Sequence, residues 1–511
     1  MMSLEKPVRV RYAPSPTGLQ HIGGVRTALF NYLFAASLGG RFILRLEDTD
    51  RTRSDPAYVQ NLYESFAWLG LRWDEGPDTG GPYAPYVQSE RADLYRRYAG
   101  ELLDRGEAYR CFCTGERLER IRHEREASHS GVTGYDRFCR DIPREEADAR
   151  AAAGEACTVR LKIPLDASGP STCFTDRLLG EIEWKNADVS PDPVLLKSDG
   201  FPTYHLANVV DDHLMGISHV LRAQEWLSST PLHVIMYRAF GWEPPEFCHL
   251  PMVMGQDGKK LSKRHGAASV DEFRRQGYLP EALINYVALL GASYEEGASY
   301  EEGSSQRKAD IYSLEELAAS FSLDKLNKAP AVFDYQKLEW YNGQYIRMKD
   351  DEALAALALP YAGGIFAGNE ATAAERRVFT AAMPLVRERA VFLPDIPAKL
   401  AYLFRDPPAA PTEVFIPQKL GLAQAAALLR MGRELLPALA ALDDAGAEAL
   451  VKERAAKESV KLGDLLMPLR AALTGSRVSP PLFGSIRLLG ADRALARVDR
   501  ALAQMDRALA R

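Results

Sequence analysis

Cysteine is scarce in this chain, which has six in 511 residues. A small secreted protein that depends on disulfides needs a denser set, so that class is excluded, and sparse cysteine favours a reducing cytoplasm. No apolar run reaches the roughly 18 residues of a membrane span, and the opening MMSLEKPVRVRYAPSPTG lacks the apolar segment of a signal peptide. The sequence therefore predicts a cytoplasmic protein with no membrane partner.

An excess of basic residues is also missing. Lys and Arg total 63 against 69 Asp and Glu, which gives a formal net charge of −6. A domain-wide basic excess is usual in nucleic-acid-binding proteins, so composition leans against such a partner, although a large enzyme can carry a local basic face. At roughly 150 residues per domain, the length predicts about three to four domains.

The first 50 residues have the pattern of a strand, a helix and a second strand. An apolar strand at 8–12 is stopped by two prolines, and an apolar helical pattern follows Gly23 and Gly24. Residues 42–47 then alternate as in a strand. This βαβ order predicts a parallel sheet.

After the first 90 residues, the composition and the residue pattern of the sequence change twice. Charged helical stretches and several cysteines between about 90 and 190 predict an insertion, and the second half of the chain is mainly helical. The hexapeptide GASYEE occurs at 291–296 and again at 297–302, which predicts a solvated loop expansion. A DRALA repeat near the C-terminus predicts a last helix packed on its own domain, with a coiled-coil partner as the alternative.

The segment PSPTGLQHIGG, residues 14–24, is the first candidate for phosphate binding. It ends a strand and opens a helix, whose N-terminus presents unsatisfied N–H groups and a partial positive charge. Glycine allows close backbone approach, and His21 can donate a hydrogen bond to a phosphate oxygen. The alternative is an ordinary tight turn with a surface histidine.

The segment KKLSKRHG is the second candidate. Its cations are Lys259, Lys260, Lys263 and Arg264. Four cations within six residues repel one another unless an anion neutralises them. This pattern predicts a mobile clamp on a triphosphate, and a solvated basic loop is the alternative.

Together the two segments resemble the signatures of class I aminoacyl-tRNA synthetases. HIGG is similar to the HIGH-type motif, and KLSKR at 260–264 is similar to the KMSKS-type motif. RYAPSPTG, RTALFNYLFA, LRLEDTD, PTYHLANVVDDHLMGISHVLRAQEW and GDLLMPLRAALTG resemble blocks of the bacterial glutamyl-tRNA synthetases. The chain is identified as a member of that family over nearly its whole length.

The resemblance implies an activity and a set of partners. The enzyme would activate L-glutamate with ATP to glutamyl-adenylate and transfer it to the 3′-terminal adenosine of tRNA(Glu). ATP and Mg²⁺ would act as a substrate complex, and the enzyme would be a monomer. Whether tRNA(Gln) is also charged does not follow from the sequence.

The resemblance also implies roles for individual residues. The glutamate-binding positions are matched by Arg11, Ala13, Ser15, Glu47, Tyr204, Asn208 and Arg222. The ATP-binding positions are matched by His21, Gly23, Gly24, Lys260, Ser262, Lys263 and Arg264, of which His21, Lys260 and Lys263 are also the catalytic candidates. The chemistry agrees, because a guanidinium offers a planar fork to a carboxylate and Glu47 can pair with an ammonium group.

A zinc site is implied by the same resemblance, since some relatives carry a knuckle of the form CxC followed by CxH. The corresponding residues are Cys111, Cys113, Cys139 and Asp141. A carboxylate can bind zinc, but structural sites prefer Cys and His, so three free thiols are the alternative.

The implied α/β fold has a Rossmann-like parallel-sheet catalytic domain in two parts, 1–90 and 192–255, separated by an inserted tRNA acceptor-binding domain at 91–191. A connecting region that contacts the tRNA stem and carries the KLSKR loop would occupy 256–345, and a mainly α-helical anticodon-binding region would occupy 346–511. Rival interpretations are a glutamyl-queuosine-tRNA(Asp) type enzyme, a small-molecule nucleotidyltransferase and a catalytically silent tRNA-binding protein. The length beyond 345 argues against the first, because such enzymes lack the anticodon-binding half.

Overall fold

A computed structural model of the chain describes residues 7–50, 53–128, 134–165, 170–262, 264, 266, 268–294 and 310–510. The strands are β1 (Arg9–Tyr12), β2 (Arg41–Leu44), β3 (Ala108–Cys111), β4 (Thr158–Leu161), β5 (Ser171–Asp176), β6 (Gly180–Lys185), β7 (Val194–Leu196), β8 (His219–Ala223), β9 (Glu246–Leu250), β10 (Val253–Met254) and β11 (Ala331–Val332).

The helices of the first 334 residues are α1 (Ile22–Ser37), α2 (Pro56–Leu69), α3 (Ala92–Asp104), α4 (Gly115–Ser128), α5 (Arg144–Ala152), α6 (Tyr204–Leu214), α7 (Thr230–Phe240), α8 (Val270–Gln276), α9 (Pro280–Leu289) and α10 (Leu314–Ser320). They are followed by α11 (Tyr335–Met348), α12 (Asp351–Ala358), α13 (Ala373–Ala381), α14 (Met383–Val386), α15 (Asp395–Leu400), α16 (Leu422–Leu439), α17 (Asp444–Lys457), α18 (Leu462–Thr474), α19 (Leu482–Leu489) and α20 (Ala491–Leu509). Among the described helices, none has both the length and the hydrophobicity to cross a membrane.

The predicted βαβ unit is present at the start of the chain. β1 and β2 pair in parallel, with Arg11 opposite Ile43, and α1 connects them. Gly40 lies at the turn from α1 into β2, where an added Cβ would be 2.5 Å from the carbonyl oxygen of Val8. Because no side chain fits there, this glycine allows the helix to return closely onto the sheet.

A second sheet has the strand order β6-β5-β9-β8. β8 and β9 are parallel and are joined through α7, while β5 and β6 form an antiparallel hairpin. The register places Arg222 of β8 directly beside His249 of β9. Two polar residues that are 27 positions apart in the chain are thereby neighbours on one sheet.

The predicted insertion contributes β3 and β4 to an antiparallel sheet with the order β3-β4-β7, and the third strand, β7, lies just beyond the predicted boundary at 191. The apolar side of this sheet packs with α3, α6 and α7 in a core that includes Tyr95, Leu161 and Leu206. A smaller cluster at one end contains Tyr109, Cys111 and other residues described below.

The chain divides by its contacts into two units. One comprises the residues up to Phe273 together with Leu283–Asp334, and the other comprises Arg274–Ala282 and the chain from Tyr335 onward. The side chain of Asn342, on α11 of the second unit, accepts from the N–H of Leu279 at 2.7 Å and donates to the carbonyl oxygen of Val391 at 2.6 Å. The finer domain boundaries proposed from the sequence stay predictions.

The second unit is helical, and its last helix packs within it. Val498 and Met505 of α20 are buried, and α20 lies against α16, where Arg433 pairs with Asp499. This packing agrees with the prediction that the last helix, which contains the DRALA repeat, packs on its own domain.

Only the start of the GASYEE tandem belongs to the described structure. Ala292 bridges to Leu326, and the N–H of Ser293 donates to the carbonyl oxygen of Lys325 at 2.9 Å. The rest of the first copy beyond Tyr294 and all of the second lie outside the described residues.

Candidate active site

A cleft of about 850 Å³ in the first unit collects most of the predicted site residues. It is lined by Arg11, Ala13, Ser15, His21, Gly23, Gly24, Glu47, Tyr204, Asn208, Arg222, Lys260 and Ser262. Arg264 is exposed and is not among the lining residues, so the structure does not bring it to the cleft. Lys263 lies outside the described residues.

His21 caps the N-terminus of α1 at one wall of the cleft. Its Nδ1 accepts the N–H of Gly24 at 3.3 Å, so the proton of the neutral ring is on Nε2. Burial and the nearby charge of Lys260 lower the pKa of His21, which keeps the ring neutral at pH 7. The amides of Ile22, Gly24 and Val25 donate to Ala268 and to His21, so the amide of Gly23 and one imidazole N–H are the groups that can meet an anion at this end of the cleft.

Gly24 occupies the fourth position of the HIGG motif for a steric reason. A Cβ at this position would lie 2.6 Å from the hydroxyl oxygen of Tyr12. That hydroxyl is held in place by a hydrogen bond to Gln20 at 3.0 Å. A histidine here would have to displace Tyr12, so His21 supplies the imidazole of this motif alone.

Glu47 follows β2 and is 4% exposed. Its Oε1 accepts from Arg45 Nη2 at 2.9 Å, from Asn208 Nδ2 at 3.2 Å and from Gln88 Nε2 at 3.5 Å. Since every contact that Glu47 accepts within the described part of the chain ends on Oε1, the other carboxylate oxygen can serve a ligand. Burial raises the pKa of Glu47 more than the neighbouring Arg45 lowers it, so a cationic ligand would favour the ionised form.

Arg11 is buried and already has a counter-ion. Asp212 of α6 accepts from its Nε at 3.0 Å and from its Nη2 at 3.2 Å, and also from Arg45 Nη1 at 2.8 Å. Burial raises the pKa of Asp212, but the charges and hydrogen bonds of Arg11 and Arg45 outweigh burial and hold this pKa below its usual value. Sequence reasoning missed Asp212 and Arg45, but the helical spacing of four between Asn208 and Asp212 is a signal that both face the same side.

Arg222, which is 5% exposed, has a different environment. Its nitrogens face His249 Nε2 at 3.1 Å, the Tyr204 hydroxyl at 3.3 Å, His233 Nδ1 at 3.4 Å, the Trp226 carbonyl oxygen at 3.3 Å and Thr230 Oγ1 at 2.8 Å. Burial lowers the pKa of Arg222 from its ordinary value. Every one of these acceptors is neutral, so within the described part of the chain Arg222 is a buried cation without a carboxylate partner.

Lys260 reaches over the mouth of the cleft. Its Nζ pairs with Glu225 at 2.6 Å, and both side chains are about half exposed. An exposed pair of this kind is worth little, about 0–1 kcal/mol. Lys260 can therefore exchange Glu225 for a more strongly charged anion, such as a phosphate chain.

Comparison with known proteins identifies the family. Residues 7–340 match the family described as tRNA synthetases class I (E and Q), catalytic domain, and residues 353–502 match the anticodon binding domain. The glutamate–tRNA ligase of Treponema denticola is 54% identical, over 96% of this chain and 98% of that protein. The chain belongs to the glutamate–tRNA ligase family. The ligase of Borrelia recurrentis is 48% identical, over 96% of this chain and 94% of the relative.

A solved structure supports the same membership. The crystal structure of a glutamate tRNA ligase from Elizabethkingia meningosepticum, in complex with its amino acid, aligns with a TM-score of 0.84 at 35% identity. The alignment covers 98% of this chain and all of that one. The family resemblance read from the sequence and the α/β fold with its helical C-terminal half are thereby confirmed, and the chain is a class I aminoacyl-tRNA synthetase.

A cluster of three cysteines lies at the end of β3. The sulfur atoms of Cys111, Cys113 and Cys139 all lie within 4.8 Å of one another. The hydroxyl of Tyr135 lies 3.3 Å from Cys111 Sγ and 3.5 Å from Cys113 Sγ. Asp141 is exposed and is not part of this cluster, so the structure does not bring the fourth predicted ligand to the thiols. Tyr135 was not recognised from the sequence, because the expected ligand spacing directed attention to residue 141.

Proposed function

We propose that this chain ligates L-glutamate to tRNA(Glu) in the cleft described above. The observation that carries the proposal is the presence, in one cleft, of the carboxylate of Glu47 and the unpaired buried guanidinium of Arg222. Arg11 and Arg45 are matched by Asp212 and Glu47. Arg222 and Arg26, a further buried arginine of the cleft that donates to the carbonyl oxygen of Pro251, have no carboxylate partner among the described residues, so the buried charges of the cleft are net positive. Glutamate, with two carboxylates and one ammonium group, has the complementary net charge.

The first step joins glutamate to ATP. An oxygen of the substrate α-carboxylate attacks the α-phosphorus of ATP, and the bond to pyrophosphate breaks, which gives glutamyl-adenylate. The amide of Gly23 at the start of α1, the Nε2–H of His21 and the ammonium group of Lys260 are placed to stabilise phosphate charge in this step. Lys263 is proposed to share this role on the strength of its motif.

The second step transfers the acyl group. A ribose hydroxyl of the terminal adenosine of tRNA(Glu) attacks the carbonyl carbon of the adenylate. AMP leaves, and the hydroxyl proton is released. The chain's contribution is chiefly to hold both partners in line, as is general for such transfers.

Among the residues that the structure describes, the cleft provides no carboxylate cage for Mg²⁺. Of its two acidic lining residues, Glu47 accepts from Arg45 and Glu225 pairs with Lys260. Mg²⁺ usually relies on substrate phosphates and water rather than on a dedicated protein site. The proposal therefore takes the ion as part of the ATP complex.

The cysteine cluster fits a structural zinc ion. Three thiol groups within reach of one centre, with the phenolic oxygen of Tyr135 beside them, supply the four ligands of a tetrahedral site. Purified chain is expected to contain about one zinc per molecule by atomic absorption. Cys139→Ser is expected to lose the metal and to lower the melting temperature, because structural zinc contributes directly to folding.

Cys173→Ser is the matched control for the zinc experiment, because Cys173 is exposed and lies outside the cluster. It should retain the full zinc content. A chain that carries no zinc after purification without chelators, and that does not bind added zinc, would rule out the site.

The helical second unit is proposed to read the anticodon. RNA specificity usually comes from unpaired bases and shape, and base stacking contacts are worth roughly 1–3 kcal/mol each. We expect the full chain to charge tRNA(Glu) transcripts with altered anticodon bases at a lower kcat/KM than the transcript with the original anticodon. Pyrophosphate exchange with the original transcript serves as the reference for an active enzyme. Equal charging of all the transcripts would contradict this role.

The experiment on the whole function is pyrophosphate exchange with each amino acid, with and without tRNA, followed by charging of tRNA(Glu), tRNA(Gln) and tRNA(Asp). Exchange with glutamate and charging of tRNA(Glu) are expected. Charging of tRNA(Asp) alone would indicate the glutamyl-queuosine type, and the absence of exchange would indicate a silent RNA-binding protein. The proposed enzyme is a cytoplasmic monomer, and sedimentation of the purified chain tests its oligomeric state.

A further inference from the structure

Behind Arg222 lies a buried chain of two polar side chains. His249 is adjacent to Arg222 in the β8–β9 register and is 0% exposed. Its Nε2 lies 3.1 Å from Arg222 Nε, and its Nδ1 lies 2.6 Å from an oxygen of Asp176, at the end of β5. The three side chains form a continuous line from the second sheet to the cleft.

Asp176 determines which nitrogen of His249 carries the proton. Its carboxylate, 1% exposed, also accepts the backbone N–H of His249 at 3.0 Å and those of Leu178 and Leu179 at 3.0 and 2.9 Å. Burial raises the pKa of Asp176, but the hydrogen bonds that it accepts outweigh burial and hold this pKa below its usual value. The carboxyl group is therefore ionised and acts only as an acceptor. His249 must then donate from Nδ1.

The opposite nitrogen of His249 is therefore a lone-pair acceptor. Burial lowers the pKa of His249, and Asp176 only partly offsets this, so the ring is neutral and Nε2 accepts from Arg222 Nε. Thr230 Oγ1 lies 3.1 Å from the same nitrogen. In the other tautomer, an N–H of histidine would face an N–H of arginine.

Arg11 and Arg222, two of the buried arginines that line the cleft, are thus held in different ways. Asp212 contacts Arg11 directly and cancels its charge, whereas Asp176 is separated from Arg222 by a neutral imidazole. A neutral acceptor orients a guanidinium without neutralising it. A buried charge without a partner is unfavourable until an opposite charge arrives, so this arrangement favours binding of an anion.

We propose that Asp176 and His249 are a positioning pair for Arg222, which fixes the guanidinium through a neutral acceptor and so reserves its charge for a substrate carboxylate. The inference rests on the proposed function. Neither residue lines the cleft, so the pair acts through Arg222 and not by touching the substrate.

The test compares four variants of the full chain by pyrophosphate exchange in the presence of tRNA(Glu). They are Asp176→Asn, His249→Gln, His249→Leu and the double variant that combines Asp176→Asn with His249→Gln. Asp176→Asn lets the histidine take the wrong tautomer, and KM for glutamate is expected to rise roughly 10- to 100-fold, the loss typical of a buried donor left without its acceptor. KM for ATP should change less than about twofold, because none of these substitutions alters the N-terminus of α1 or Lys260, where ATP is proposed to bind.

The double variant separates tautomer control from simple support of the fold. A glutamine carbonyl accepts from Arg222 without needing Asp176, so His249→Gln should stay near wild type. The double variant should recover most of the glutamate KM lost in Asp176→Asn, even if its melting temperature stays low. His249→Leu has no acceptor and should lose glutamate affinity. Cys248→Ala, a buried neighbour on the same strand, is the matched control and should change neither KM.

Two results would overturn the inference. One is a wild-type glutamate KM in folded Asp176→Asn, and the other is equal impairment of Asp176→Asn and the double variant. If circular dichroism shows that Asp176→Asn does not fold, the contrast between His249→Leu and His249→Gln decides, and equal values contradict the proposal. Absence of glutamate exchange in the wild-type chain would instead refute the proposed function.

Discussion

Arg222→Ala is expected to reduce kcat/KM for glutamate by roughly 10²- to 10⁴-fold in pyrophosphate exchange. Removing one partner of a buried charge pair costs about 3–5 kcal/mol, and each 1.4 kcal/mol is tenfold. Arg222 is a buried guanidinium of the cleft whose described contacts are all neutral, so no carboxylate of the described protein cancels its charge. Arg11→Ala should weaken glutamate use as well, since Arg11 lines the same cleft.

Arg238→Ala is a suitable control, because this exposed arginine of α7 donates to the carbonyl oxygen of Cys173 and does not line the cleft. It should leave glutamate kinetics unchanged. Neither Arg222→Ala nor Arg11→Ala alone is expected to make the enzyme accept glutamine, because a specificity switch needs designed repulsion or unpaired donors. A wild-type KM and kcat for glutamate in both variants would show that the pocket has been assigned wrongly.

Lys263→Ala is expected to slow glutamyl-adenylate formation by about 10²- to 10³-fold, the usual effect of losing one charge-stabilising group. The prediction comes from the KLSKR motif, since Lys263 lies outside the described residues. Its neighbours Lys260 and Ser262 line the cleft opposite the capped N-terminus of α1. Binding of tRNA(Glu), measured by filter retention, should be preserved.

Lys259→Ala removes a cation from the same loop and serves as the matched control. Lys259 is exposed and is not among the residues that line the cleft, so its loss should have a small effect. Pyrophosphate exchange of Lys263→Ala within threefold of wild type would contradict a role in adenylate formation. A selective loss of tRNA binding would move the role of Lys263 to the RNA.

The local elements of the catalytic unit could be predicted because their signals act over a few residues. The apolar period of α1, its start beside His21 and the alternation before Glu47 predicted a βαβ unit, and β1 and β2 do pair in parallel. Most glutamate- and ATP-binding candidates were implied by the resemblance to the synthetase family, which short motifs carry. These motifs carry the residue types that the chemistry needs.

Partners distant in the chain could not be predicted in this way. Asp212 is 201 residues from Arg11, and Asp176 is 73 residues from His249. Tyr135 takes a place beside the thiols that ligand spacing assigned to Asp141, and Arg274–Ala282 belongs by its contacts with the later helical unit. The spacing of Asn208 and Asp212 on α6 indicates a shared face, but no periodic or local signal tells which distant residue that face meets.

The sequence by itself determined the family, the βαβ start, the helical second half and most of the residues that face the cleft. The tertiary structure alone decided which of the buried arginines has a counter-ion. Pairing of charges depends on distances of about 3 Å between groups that folding brings together from remote segments. Arg11, which pairs with Asp212, and Arg222, which is held by a neutral His249, are the same letter in the sequence. Only their surroundings in the fold make the first a structural ion pair and leave the second without a carboxylate partner among the described residues, as its proposed role toward a substrate requires.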